Sequence, residues 1–149
     1  MGPKLLAEIN YLSVIAAAVG AWLFGALYYG LLGKAWVAAQ GKTMEAFKRE
    51  QAPKMGTFAG TLPFILSFVA NILIGVVLFG ILTHMGMWTV RAGMISAAFC
   101  WFGFILTTLA VNNAYSGRSF KLTAIDAGHW LGALLIIGAV VGYFGPAGR

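Results

Sequence analysis

Charge is scarce in this sequence, and so are the groups that usually carry chemistry. There are only four carboxylates and two histidines, and no apolar stretch holds two acidic residues. A paired-carboxylate mechanism inside one segment is therefore excluded. The lone cysteine, Cys100, excludes an internal disulfide and reads as a small buried apolar residue. No GxxxxGK[ST], GxSxG or HExxH pattern occurs, which removes the phosphate-binding loop, the nucleophile elbow and the helical zinc site. The expectation is a protein that is not an enzyme and carries no cofactor.

Apolar residues fill the space that charge vacates. They make up 60% of the chain against 9% charged, where soluble domains have about 45–50% and about 25%. Mean hydropathy is +0.86. Four long apolar runs lie near 9–32, 57–82, 93–111 and 124–144. Each is close to the roughly 20 residues that cross about 30 Å of hydrocarbon. Because the runs are continuous and do not alternate, they predict helices and not barrel strands. A helix also pairs its backbone amides within the segment, as lipid requires. The first run is preceded by Lys4 but continues through "WLFGALYYGLL", too long for a signal sequence, and is kept as a permanent span. The fold class expected is an all-α integral membrane protein, a four-transmembrane-helix bundle forming one membrane domain over 1–149.

The connection after the first span carries Lys34, Lys42, Lys48, Arg49 and Lys54, and the one after the third carries Arg118 and Lys121. With four spans these connections share a side, giving seven basic residues there against three (Lys4, Arg91, Arg149) on the other. The positive-inside rule then puts the basic loops in the cytoplasm and both termini outside, in a cell inner membrane. Net charge +6 reads as orientation and contact with anionic membrane lipid, not as nucleic-acid binding. Tyr28, Tyr29, Trp36, Tyr115 and Trp130 fall near the inner surface, and Tyr11, Trp88 and Tyr143 near the outer one. Between the first two spans, Trp36, Val37, Met44 and Phe47 can share a face opposite Lys42, Lys48 and Arg49. That pattern predicts an interfacial amphipathic helix.

Small or weakly polar residues recur every three or four positions in each span. They are Ser13, Ala17 and Gly20; then Gly56, Gly60, Pro63, Ser67, Asn71 and Gly75; then Ser96, Cys100, Gly103, Thr107, Ala110 and Ala114; and finally Gly128 with Gly132 and Gly138 with Gly142. In lipid such stripes let helix backbones approach closely. They predict dry seams and an accessory membrane component acting as a homo-oligomer or as a subunit of a larger complex. The alternative is a small proton- or cation-coupled transporter or channel subunit, with Asn71, Ser67, Thr107, Asp126 and His129 as its polar groups.

Asp126 and His129 share a helical face, an arrangement able to relay a proton. "TAID" also fits a capping box, with Thr123 as N-cap and Asp126 at the third position, and this is the preferred reading. Asn71 lies mid-span, where an amide must find a partner. A clasp to a serine or threonine of another helix is expected, so that leucine at this position would loosen the bundle. Asn112 and Asn113 are read as ending the third helix. His84, Met85 and Met87 are a weak candidate for a soft metal ion, weighed against an ordinary interfacial loop anchored by Trp88.

Several pieces resemble a group of small bacterial membrane proteins, the Domain of Unknown Function 1761 family (DUF1761). They are Asn10-Tyr11-Leu12, Gly25 with Leu27, Tyr28 and Tyr29, Gly33-Lys34-Ala35-Trp36, Asn113, Arg118-Ser119 and Ile125-Asp126-Ala127-Gly128. The run Tyr28-Tyr29-Gly30 departs from the Trp-Tyr and proline common in that family after the first helix. The resemblance implies four membrane helices and supplies no activity.

Overall fold

The apolar runs become long helices in the computed structural model, which describes residues 7–148; Lys4 and Arg149 of the charge count lie outside them. In chain order the elements are α1 (Tyr11–Ala39), α2 (Met44–Gln51), a 3-10 turn (Ala52–Lys54), α3 (Phe58–Met85), α4 (Val90–Cys100), a π-helical segment (Trp101–Leu106), α5 (Thr107–Tyr115) and α6 (Phe120–Phe144). No strand occurs among the described residues. Four helical rods are long and apolar enough to cross a membrane: α1, α3, the continuous Val90–Tyr115 and α6.

Each rod extends past its apolar run. α1 continues to Ala39, beyond the expected end at 32, because Lys34 can extend its charged end away from the helix while Trp36 still finds a polar partner. α6 begins at Phe120 and not 124, since Ser119 Oγ accepts the Leu122 N–H and so caps the helix. At the basic end Gly41 and Gly117 turn the chain with φ of 74° and 64°, a left-handed backbone that a β-carbon would strain. At the other end the Ala147 N–H donates to the Glu8 carbonyl at 3.2 Å, so the two ends of the described residues meet there.

Helix α6 is the axis of the bundle, packing on α1, α3 and α4. Its four motif glycines are all contact points. Gly138 meets the Gly93 backbone and Gly142 meets the Thr89 carbonyl, so α4 and α6 touch backbone to backbone. Gly132 receives the Phe24 ring and Gly128 the Tyr28 hydroxyl, so against α1 the glycines accept aromatic side chains. Near the termini end, Val14, Leu78, Phe79, Leu82, Ile137 and Val141 are fully buried and make a dry core.

The expected stripes hold only over part of their length. In α3, Gly75 packs against Val14 and Ile137, and Asn71 is buried. Ser67 and Pro63, one and two turns nearer the basic end, border open space instead, and Gly60, a turn further, meets the Lys54 carbonyl of the preceding 3-10 turn. In the third rod Ser96 is buried, whereas Gly103 has nothing near it and Thr107 is exposed, its hydroxyl bonded to the Gly103 and Phe104 carbonyls. The π-helical segment had no warning in the sequence. Trp101, its first residue, donates its indole N–H to the Ala127 carbonyl of α6 at 2.8 Å.

Candidate functional site

Large side chains at the basic end of α1 do what alanines do not do at the other. Ala17, Ala18 and Ala21 are fully buried and let neighbours close on α1. Trp22, Tyr29 and Trp36 continue the same helix and line the space between it and α3. The Trp22 indole reaches across to donate to the Phe64 carbonyl at 3.3 Å, and its ring meets Phe68 edge-on at 6.3 Å. Pro63, having no N–H to give, removes one rung of the α3 ladder at this level. The result is a cleft of about 1030 Å³ between α1, α3 and α6, with Met44, Phe47 and Gln51 of α2 along its mouth.

Helix α2 is held there by packing as well as by the chain. Thr43 caps it through the Ala46 N–H, and Phe47 meets Trp36 edge-to-face at 5.8 Å and 90°. Lys42 and Glu50 form an ion pair at 2.6 Å between partly exposed side chains. In solvent such a bridge contributes little.

Asp126 is not a cap. With Ser119 at the N-cap it sits on the seventh residue of α6, past the turn whose N–H groups need acceptors. Thr123 is inside the helix and accepts from Asn113 Nδ2 at 3.0 Å, so Asn113 ties α5 to α6. Asp126 Oδ1 instead accepts two donors from α1, the Tyr29 hydroxyl at 2.7 Å and the Trp36 indole N–H at 3.0 Å. Tyr28 completes the seam by donating to the Ile125 carbonyl at 2.8 Å.

One turn on, His129 is boxed by rings. Tyr29 lies 4.9 Å away, Trp130 5.2 Å, Tyr28 5.7 Å, and Phe24 stacks parallel at 6.2 Å. Gly25 leaves the room its imidazole occupies. No hydrogen bond joins His129 to Asp126, so the two do not form the relay their spacing allowed.

Among the described residues, two buried side-chain atoms have no hydrogen-bond partner: Asn71 Oδ1 and His129 Nδ1. Both residues line the same cleft. The expected clasp from Asn71 to another helix is absent. Ser67, which shares the cleft, donates back to the Phe64 carbonyl of its own helix at 2.8 Å, and Thr107 stands apart on an exposed face. The expected effect of Asn71→Leu consequently changes sign. Removing a buried amide with no partner relieves a desolvation penalty of about 1–3 kcal/mol, so the variant should unfold at higher temperature in detergent. A lower unfolding temperature would mean that the amide is satisfied.

The soft-metal candidates sit at the opposite end of α3. His84 and Met85 close its last turn, Met85 Sδ takes the Ser96 hydroxyl at 3.7 Å, and Met87 follows the Gly86 cap, about half exposed. The described residues contain no cluster of three His, Cys, Asp or Glu side chains.

Sequence reasoning picked out Asn71, Asp126 and His129 by their chemistry. It missed Tyr29, Trp36 and Trp22 as site residues, having read the first two as interfacial anchors. Their seven-residue spacing, which keeps them on one face of α1, was the available signal.

A family model described as "Protein of unknown function (DUF1761)" matches residues 12–142. No curated protein and no solved structure matches the chain.

Proposed function

The chain belongs to the DUF1761 family, proteins of unknown function, and from its own geometry we propose that it is a non-catalytic accessory protein of a bacterial inner membrane. Its tightly seamed half is the scaffold. Its other half holds open an intramembrane cleft that receives a small molecule from the bilayer. The observation that carries this reading is the pair of unpartnered polar atoms, Asn71 Oδ1 and His129 Nδ1, lining one apolar cleft. Pockets that combine apolar walls with a few convergent polar groups are the usual form of a small-molecule site.

Seven basic residues at that end, Lys34 and Lys121 inside α1 and α6 and the other five between the rods, support its cytoplasmic position, with both termini outside. The same asymmetry supports α2 lying in the headgroup plane, its Met44 and Phe47 toward the cleft. The third rod is the least covered of the four. Its outward Phe99, Phe102 and Phe104 are where a second copy, or a helix of a larger complex, would join.

Transport of protons or cations is the weaker reading, because the buried layer from Val14 to Val141 stands between the cleft and the termini end. Protein purified in mild detergent should release a stoichiometric apolar molecule on solvent extraction. Gly33→Trp, at a cleft position with nothing within 4 Å of its β-carbon, should lose that molecule while unfolding at an unchanged temperature. Wild-type protein that carries nothing, yet passes protons or cations in liposomes, would replace the accessory reading with the transport one.

A further inference from the structure

The polar equipment of the cleft narrows what can bind. Lys54 at the mouth is the one charged residue among those lining it. Asn71 is the fourteenth of the 28 residues of α3 and is only 3% exposed, so it meets a ligand at mid-membrane depth. An anionic head at that depth would have no counter-charge and would be costly. A saturated acyl chain fits the charge requirement but offers no hydrogen bond, leaving both orphaned atoms as they are. The head must therefore be uncharged and carry a hydroxyl, because Asn71 Oδ1 can only accept a hydrogen bond.

The walls add a shape. Trp22, Tyr29, Trp36, Phe64 and Trp130 line the cleft, and aromatic faces favour a planar ring stacked or edge-on against them. Access is from the side. Phe64 and Met55, at the edge, are 61% and 78% exposed and would face lipid, so the ligand reaches the cleft through the bilayer.

We propose that the cleft binds a lipid-soluble, uncharged ring compound with hydroxyl groups, of the quinol class, with one ring hydroxyl donating to Asn71 Oδ1 and the other meeting His129 Nδ1. The proposal rests on the reading of the cleft as a ligand site and adds the chemical class. It asserts binding only and includes no electron transfer.

Three of the five tryptophans, Trp22, Trp36 and Trp130, line the cleft, so a ring bound against them changes the indole fluorescence. Full-length protein in phosphatidylcholine nanodiscs would be titrated with a decyl-substituted benzoquinol kept reduced by excess ascorbate, and separately reconstituted with chain-brominated phosphatidylglycerol. A saturable fluorescence change with the quinol is expected, its affinity weakened about tenfold in Asn71→Leu and in His129→Phe, a loss of the order of one good hydrogen bond. Thermal unfolding of each variant checks that lost binding is not lost folding, and Asn71→Leu is expected to be the more stable protein. A change that rises linearly with quinol and is the same in both variants overturns the proposal. If brominated lipid quenches saturably and quinol does not displace it, the quinol assignment fails and the ligand cleft stands as a phospholipid site. If neither probe binds saturably, both the assignment and the ligand cleft fail.

Discussion

Gly93→Ala is expected to abolish the native bundle, or to lower its stability by about 3 kcal/mol or more. A β-carbon at Gly93 would overlap the carbonyl of Gly138, and one at Gly138 would overlap the carbonyl of Gly93. The obstacle is backbone on both sides, so no rotamer change relieves it and the two helices have to separate. Separation would also release Gly142 from Thr89 and open the layer formed by Ala97, Ile137 and Val141. In lipid nothing compensates for lost packing, because acyl chains are as apolar as the surfaces exposed. Gly80→Ala is the matched control. That position has nothing within 4 Å of a built β-carbon, and the substitution should stabilise α3 by up to about 1 kcal/mol through helix propensity alone. Unfolding both proteins by SDS titration of detergent micelles, followed by circular dichroism, separates the two cases. A Gly93→Ala protein as stable as wild type would mean that α4 and α6 do not touch as described.

The glycine pairs of α6 show what was legible in the sequence. Their four-residue spacing named the contact face, and all four glycines do meet a neighbour. It could not say whether a glycine would receive backbone, as Gly138 does, or a ring, as Gly132 does, since that depends on the residue opposite. Asn71 was legible as a polar group at depth, but its lack of a partner was not. The spacing of Ser67 and Thr107 on their own helices says nothing of their bonds to local carbonyls. The cleft escaped for a related reason. Small-residue stripes describe where helices can close, and here Trp22 and Tyr29, on the facing helix, line the space between. Helix ends were misplaced because hydropathy falls off before helical hydrogen bonding does: Lys34 and Lys121 are charged yet lie within α1 and α6.

Asp126→Leu should be the most damaging change on the cleft side of the bundle, and the comparison with Asp126→Asn separates the two readings of this residue. Were Asp126 the third residue of a capping box, its loss would free local backbone N–H groups at a helix end, where water can replace it, at about 1 kcal/mol. In the structure it accepts the Tyr29 hydroxyl and the Trp36 indole N–H, donors supplied from 97 and 90 residues away. Leucine would strand both between α1 and α6, and each unsatisfied donor costs about 1–3 kcal/mol. The effect would spread, because Tyr29 and Trp36 wall the cleft and Trp36 anchors α2 through Phe47. Asparagine keeps a carbonyl oxygen that can accept both bonds, so it should lower stability by less than about 1 kcal/mol and leave α2 docked. The check is proteolytic nicking of the α1–α3 connection in detergent, read beside thermal unfolding. Leucine should speed cleavage near Lys42 and Lys48 as α2 loosens, and asparagine should not. Equal, mild effects of both substitutions would return Asp126 to the role of a helix-end acceptor and leave Tyr29 and Trp36 without a reason to face it.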